Sequence, residues 1–261
     1  MNFTELIQPK SNPFRLFIYT PYQGTINLKT FSSEKISSAK LSTYQNEGTY
    51  CNSYRNLYLS SGPSFWSIAH NSYQIKYKKM PVQKKNHSMI FIPNGNNEGK
   101  IFIVGGNDKK VFYYDLKKNY FINWAPTNEY HIKPALIQIN DYLYIFDTVK
   151  QNNFFIERTN LINTPRKWEK IVPSCDPNLL INFPSQSFAT CLDDSNTKVI
   201  FLGGNNIDME HNGTYLYDIK DNKIYLSQKG TNDCSFLSII AISLFSSKLS
   251  GKAILYLLSI L

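Results

Sequence analysis

The sequence predicts an all-β protein made of short, four-stranded antiparallel sheets, and three observations lead there. Eighteen Tyr and seventeen Phe in 261 residues supply side chains that suit a pleated, half-buried surface. No stretch carries an amphipathic helical period for more than about ten residues. One pattern also recurs: "KIFIVGG" ends at Gly106 and "KVIFLGG" at Gly204, and each is followed by a Tyr-Asp segment, "VFYYDLKKN" and "TYLYDIKDN".

Weaker copies of the glycine-pair strand end at Gly62 ("NLYLSSG") and at Thr148 ("YLYIFDT"). The endpoints recur at about forty to fifty-five residues, the period of four-stranded propeller blades. The first blade spans about residues 48–80, with strands "TYCNSY", "NLYLSSG", "SFWSIA" and "YQIKYK" as its a, b, c and d. The second, 87–127, reads "HSMIFIP", "KIFIVGG", "KVFYYDL" and "YFINW". The third, 133–171, reads "ALIQI", "YLYIFDT", "FFIERT" and "KWEKI", and the fourth, 186–227, reads "SFATCL", "KVIFLGG", "TYLYDI" and "KIYLS". The b strands are apolar at consecutive positions, which implies that both faces are covered. Gly62, Gly105, Gly106, Gly203 and Gly204 remove side chains where the chain leaves b, permitting positive φ or close backbone approach. Tyr114 and Tyr217 in c, with Trp124 and Trp168 in d, are placed to fill the space between sheets.

The ends complete the pattern. "RLFIYTPYQGTINLKTF" (15–31) reads as a c and d pair with no a or b strand before it, whereas "SFLSIIAISLF" and "KAILYLLSIL" (234–261) read as an a and b pair. Joined in one sheet, they make a fifth blade, close a ring and hide the edge strands. The expectation is a single β-propeller domain over 1–261 with about five blades. The rival reading of the C-terminus is membrane association, but its apolar runs are each about ten residues where a spanning helix needs roughly twenty.

An apolar strand, Gly-Gly, a Tyr several residues on and then a Trp resembles the kelch repeat of kelch and galactose-oxidase-type propellers. Blade two carries the full set in Gly105, Gly106, Tyr113 or Tyr114, and Trp124; blade three lacks the glycines, blade four lacks the Trp, and blade one keeps Gly62. WD repeats are disfavoured, because the three tryptophans precede Ser67, Ala125 and Glu169. The resemblance implies a protein-interaction scaffold or adaptor that holds partner proteins on one end of the disc. Kelch propellers usually have six or seven blades, so five leaves open a truncated paralogue of a longer protein. A galactose-oxidase-like enzyme or a carbohydrate-binding propeller is the other alternative.

The chemistry favours the scaffold. A net charge of +9 comes mainly from Lys, with four Arg (Arg15, Arg55, Arg158, Arg166), and planar recognition of phosphates and bases favours Arg; no nucleic-acid partner is expected. His70, His87, His131 and His211 occupy unrelated blade positions, so no copper centre or other cofactor is indicated, and the four Arg form no sialidase-like cluster. Asp208, Glu210 and His211 in "NNIDMEHNG" read as a polar loop in preference to a metal site. No nucleophile elbow or HExxH motif occurs. Cys51, Cys175, Cys191 and Cys234 are widely spaced, which suits reduced thiols. With no basic segment and apolar run at the start, a cytoplasmic location is expected.

In an antiparallel blade the b-to-c and d-to-a loops share one end. That end is expected to collect the basic loops holding Lys84 and Lys85 ("VQKKNH") and Lys109 and Lys110 ("NDKK"). It also takes "VPSCDPNLLINFPS", whose Leu179, Leu180, Ile181 and Phe183 form an apolar run. These eight residues are the candidate partner-binding set.

Overall fold

The computed structural model describes residues 3–7, 15–19, 24–27, 32–35, 49–53, 55–69, 74–94, 98–106, 108–149, 153–163, 165–176, 189–193, 195–202, 205–206, 209–210 and 213–229. Every regular element among them is a strand. The first sheet is a meander of β1 (Phe3–Ile7), β2 (Arg15–Tyr19), β3 (Gly24–Asn27) and β4 (Ser32–Lys35). The second has three strands, β5 (Thr49–Asn52), β6 (Asn56–Ala69) and β7 (Ile75–Lys84). The third joins β8 (His87–Pro93), β9 (Gly99–Gly105), β10 (Phe112–Asp115) and β11 (Tyr120–Asn123). The fourth joins β12 (Ala135–Ile139), β13 (Tyr142–Val149), β14 (Asn153–Asn160) and β15 (Trp168–Ile171). The fifth takes β16 (Ala189–Leu192) and β17 (Lys198–Leu202), then, beyond a small hairpin of β18 (Asn205–Asn206) and β19 (Met209–Glu210), β20 (Gly213–Asp218) and β21 (Lys223–Lys229). The predicted fold class, all-β with four-stranded antiparallel sheets, is what the chain adopts.

Blades two, three and four follow the predicted strands, and their turns repeat at atomic level. Asp115 Oδ1 accepts the backbone N–H groups of Lys117 and Lys118 at 3.0 and 2.9 Å. Asp218 Oδ1 accepts those of Lys220 and Asp221, both at 3.0 Å. Asn160 Oδ1 does the same for Ile162 and Asn163 at 2.9 and 2.7 Å. In each turn the next residue, Leu116, Ile219 or Leu161, donates its N–H to the backbone oxygen of Gly99, Thr197 or Asp141, which lies at or next to the start of strand b (3.1, 3.0 and 2.8 Å). Asn119 and Asn222 close their turns at φ 63° and 49°, a conformation Asn tolerates better than most residues, and take hydrogen bonds from the hydroxyls of Tyr114 and Tyr217. The recurring Tyr-Asp segment is therefore a repeated turn in which Asp satisfies the backbone and Tyr braces the exit.

The chain divides into two compact units, Met1–Ile103 with Tyr113–Ile122, and Val104–Phe112 with Asn123–Leu261. In the first, Phe65 packs against Tyr58, Tyr114 and Phe121 at centroid distances of 5.6, 5.0 and 5.3 Å. In the second, the β12–β15 sheet faces the fifth sheet: Phe146 meets Phe201 and Tyr217 edge-on at 5.2 and 5.6 Å, within a core of Ile137, Ile139, Ile156, Val199 and Tyr215. Consecutive burial in strands b holds, with Ile101, Phe102, Ile103 and Val104 all at 0% exposure.

Three expectations are corrected. The N-terminal c and d strands do not await partners from the C-terminus: Phe3 pairs with Tyr19 and Ile7 with Arg15, so β2 has neighbours on both edges within its own sheet. The expected strands in 234–261 lie outside the described residues. In blade one the b and c strands are one, because β6 runs through Gly62. Its first half pairs with β5 and its second with β7, and the register shifts between Gly62 and Ser64. Gly62, at φ 57°, carries β6 on where a strand end was expected, with the irregularity taken up by residues 80–83 of β7, and Pro63, with no N–H to donate, fits at the break in the ladder. Finally, "NNIDMEHNG" contains the β18–β19 ladder, pairing Asn205 with Glu210 and Asn206 with Met209, so part of the predicted loop is extended and hydrogen-bonded.

Candidate functional site

The second unit holds one irregular segment, residues 124–134 between β11 and β12, tied down by buried ionisable groups. It starts at Trp124, whose N–H donates to Val111 O at 2.8 Å and whose indole N–H reaches Thr159 Oγ1 at 3.3 Å. The guanidinium of Arg166 lies 4.2 Å from the Trp124 ring centre, a cation–π contact. Thr127 N–H then donates to Lys109 O at 2.9 Å, and Gly106 N–H to His131 O at 2.7 Å. The b-to-c loop of blade two therefore lies against its own d-to-a segment, as the alternation of turns requires.

Gly105 and Gly106 make this approach possible. Both have positive φ, 81° and 95°, and a Cβ on Gly105 would come within 2.8 Å of Pro134 Cδ and 2.9 Å of His131 O. The glycine pair is thus explained by both backbone conformation and space.

His131, 1% exposed, is the pin. Its Nε2 lies 3.1 Å from Glu157 Oε1 and its Nδ1 3.4 Å from Asp147 Oδ2. Glu157, at 0% exposure, projects from β14 and also accepts the N–H of Asn128 and of Glu129 at 2.9 Å each and the Asn128 side-chain amide at 3.0 Å. Asp147 of β13 accepts the N–H of Ile132 at 3.0 Å. Burial alone would lower the His131 pKa, but its contacts with Asp147 and Glu157 outweigh this and raise it. Burial would raise that of Glu157, but His131 and the backbone N–H groups of Asn128 and Glu129 hold it below the usual carboxylate range. The result is a histidine held between two carboxylates, of which Glu157 also takes the segment's amides on both of its oxygens.

The two neighbours of His131 point the other way. Tyr130 is 62% exposed and Ile132 51%. Lys109 Nζ lies 5.2 Å from the Tyr130 ring centre and donates to Asn128 O, while Lys133 is exposed at φ 49°. The arrangement presents an aromatic, an aliphatic and lysines together at the surface. The triad's carboxylates are buried and take backbone N–H groups of the segment, which suits holding a backbone more than transferring protons.

The predicted site residues are distributed as follows. Lys109 and Lys110 are in this platform, where Lys110 N–H caps onto Asp108 Oδ1 at 3.0 Å. Lys84 is corrected: it ends strand β7 and is 0% exposed, because "VQKK" is strand up to Lys84 and only Lys85 and Asn86 turn toward β8. It cannot serve as a surface cation. Lys85 is half-buried in that turn. Leu179, Leu180, Ile181 and Phe183, with Gly203 and Gly204, fall outside the described residues. Trp124, Trp168, Tyr114 and Tyr217 are buried as predicted, at 6, 6, 7 and 2% exposure.

His87 in the first unit is also buried. Its Nε2 is 2.5 Å from Ser60 Oγ, its Nδ1 has no hydrogen-bond partner, and burial, then the neighbouring Lys84, push its pKa down to about 3. His70 and His211 lie outside the described residues. Among the described residues, no group of three or more His, Cys, Asp or Glu is placed to hold a metal ion. Among the described residues, no helix is long and apolar enough to cross a membrane.

The sequence matches no protein-family model. Over 104 residues, 38% of this chain, it is 33% identical to a DNA-directed RNA polymerase subunit beta of Theileria parva. The aligned stretch covers 10% of that subunit, so the chain spans only a small part of this relative's length.

Proposed function

We propose that the chain is a kelch-type β-propeller that acts as a non-enzymatic protein-interaction scaffold, with partners engaged at the loop end built by residues 105–106, 108–111 and 124–134. The reading rests on one observation above all. Three buried ionisable side chains, His131, Asp147 and Glu157, tie down an irregular segment through contacts with one another and with its backbone amides, while Tyr130 and Ile132 stay exposed. Exposed apolar side chains fixed in advance lose little entropy on binding, and aromatic anchors of this kind dominate interface energetics. The kelch assignment itself rests on the repeated strand, glycine and tyrosine pattern.

The test is affinity capture with the full chain, followed by reconstitution of any captured protein from purified components. Tyr130→Ser with Ile132→Ser is expected to weaken the reconstituted complex at least about tenfold while thermal unfolding stays unchanged. A complex indifferent to both substitutions, or no protein that survives reconstitution, would overturn the reading.

A further inference from the structure

A separate surface in the first unit carries its own signal, and it owes nothing to the loop end just described. In the β6–β7 register Phe65 faces Lys78 and Ser67 faces Lys76, so Lys76 and Lys78 lie on one face of β7. Lys78 Nζ donates to Asn119 O at 2.5 Å and sits 5.2 Å from the Tyr114 ring centre, which brings β7 against the β10–β11 turn. That turn adds Lys117 and Lys118, both exposed, and Tyr120, 51% exposed with Lys118 Nζ 6.0 Å from its ring centre. Among the described residues, Lys117 is the lysine of this surface with a carboxylate partner, Glu98 at 3.2 Å. Asp115 is 9% exposed and its Oδ1 serves the turn's backbone. Lys76, Lys78 and Lys118 therefore set a positive potential around one exposed ring.

We infer that this surface, Lys76, Lys78, Lys118 and Tyr120, is a docking site for an acidic protein segment, with carboxylates on the lysines and an apolar side chain against Tyr120. Charge complementarity selects the occupant. The cations are all Lys, compact point charges suited to flexible carboxylates, with none of the planar forks that read phosphates and bases. A single exposed ring also falls short of the succession of stacking platforms that a single-stranded nucleic acid uses.

The experiment is fluorescence anisotropy at low salt, with the full chain and a short labelled peptide of Asp and Glu around one Leu. The expected result is saturable binding that weakens at least about tenfold in Lys76→Glu/Lys78→Glu/Lys118→Glu. Binding should hold in Lys167→Glu/Lys220→Glu/Lys223→Glu, a control of the same charge change at exposed lysines of the other unit, and vanish for the Asn/Gln analogue of the peptide. Circular dichroism checks that each variant folds. If the triple variant does not, Lys118→Glu/Tyr120→Ser, confined to the exposed turn, must produce the loss instead. No saturable binding, equal loss in the control, equal binding of the neutral analogue, or tighter binding of an oligothymidylate or of anionic vesicles would each overturn the assignment.

Discussion

Two histidines, buried to the same degree, have their pKa values pushed in opposite directions by what surrounds them. His131 meets carboxylates on both ring nitrogens and its pKa is raised; its contribution to stability is complete below the unfolded value and is lost as pH rises through the folded one. Glu157, held low, contributes above its unfolded value and loses that contribution as pH falls through its folded value. The network is thus strongest between those limits. Removing one partner strands the other's charge, so Glu157→Gln should cost about 3–5 kcal/mol in urea unfolding near neutral pH. His87 behaves in the reverse sense. With its folded pKa near 3 against 6.5 unfolded, the unfolded chain takes up a proton that the folded chain refuses, and stability falls as pH drops from 6.5 toward 3. The full effect approaches about 4–5 kcal/mol. His87→Gln should flatten that part of the stability profile, and an unchanged profile would show that another group titrates there.

At the level of elements, the repeated turn and the glycine pair make separable predictions. Asp115→Ala and Asp218→Ala each remove an acceptor for two backbone N–H groups, and each should cost about 0.5–2 kcal/mol, as helix-cap losses do. Their effects should add within a few tenths of a kcal/mol, since the two turns share no partner. Gly105→Ala should cost more, about 2–3 kcal/mol, because φ of 81° and a Cβ 2.8 Å from Pro134 act together. If Gly105→Ala unfolded with the wild-type midpoint, the close approach of the two loops would not be what the glycine is for.

Across the whole chain, what could be read from sequence was whatever repeats. Apolar runs such as Ile101 to Val104, the Tyr-Asp turns and the inward tryptophans each recur in more than one sheet with the same local physical cause, so copies reinforce one another. What could not be read depends on a single residue's context. Gly62 and Pro63 resemble a strand end, yet a bulge lets β6 continue. Lys84 looks like a loop cation, but the strand extends to it and buries it. His131, Asp147 and Glu157 lie in three different elements, and their partnership has no local motif. The available hint was Glu157 in "FFIERT" and Asp147 in "YLYIFDT", acids inside otherwise apolar strands, which are buried only when paired. Residues 127–134, although irregular, are held as a platform by His131, Asp147 and Glu157. Hydrogen exchange tests this most directly at the amides of Gly106, Asn128, Glu129 and Ile132, which donate to His131 O, Glu157 and Asp147. Protection comparable to that of strand β13 is the predicted result; exchange at the rate of an open loop would contradict the account.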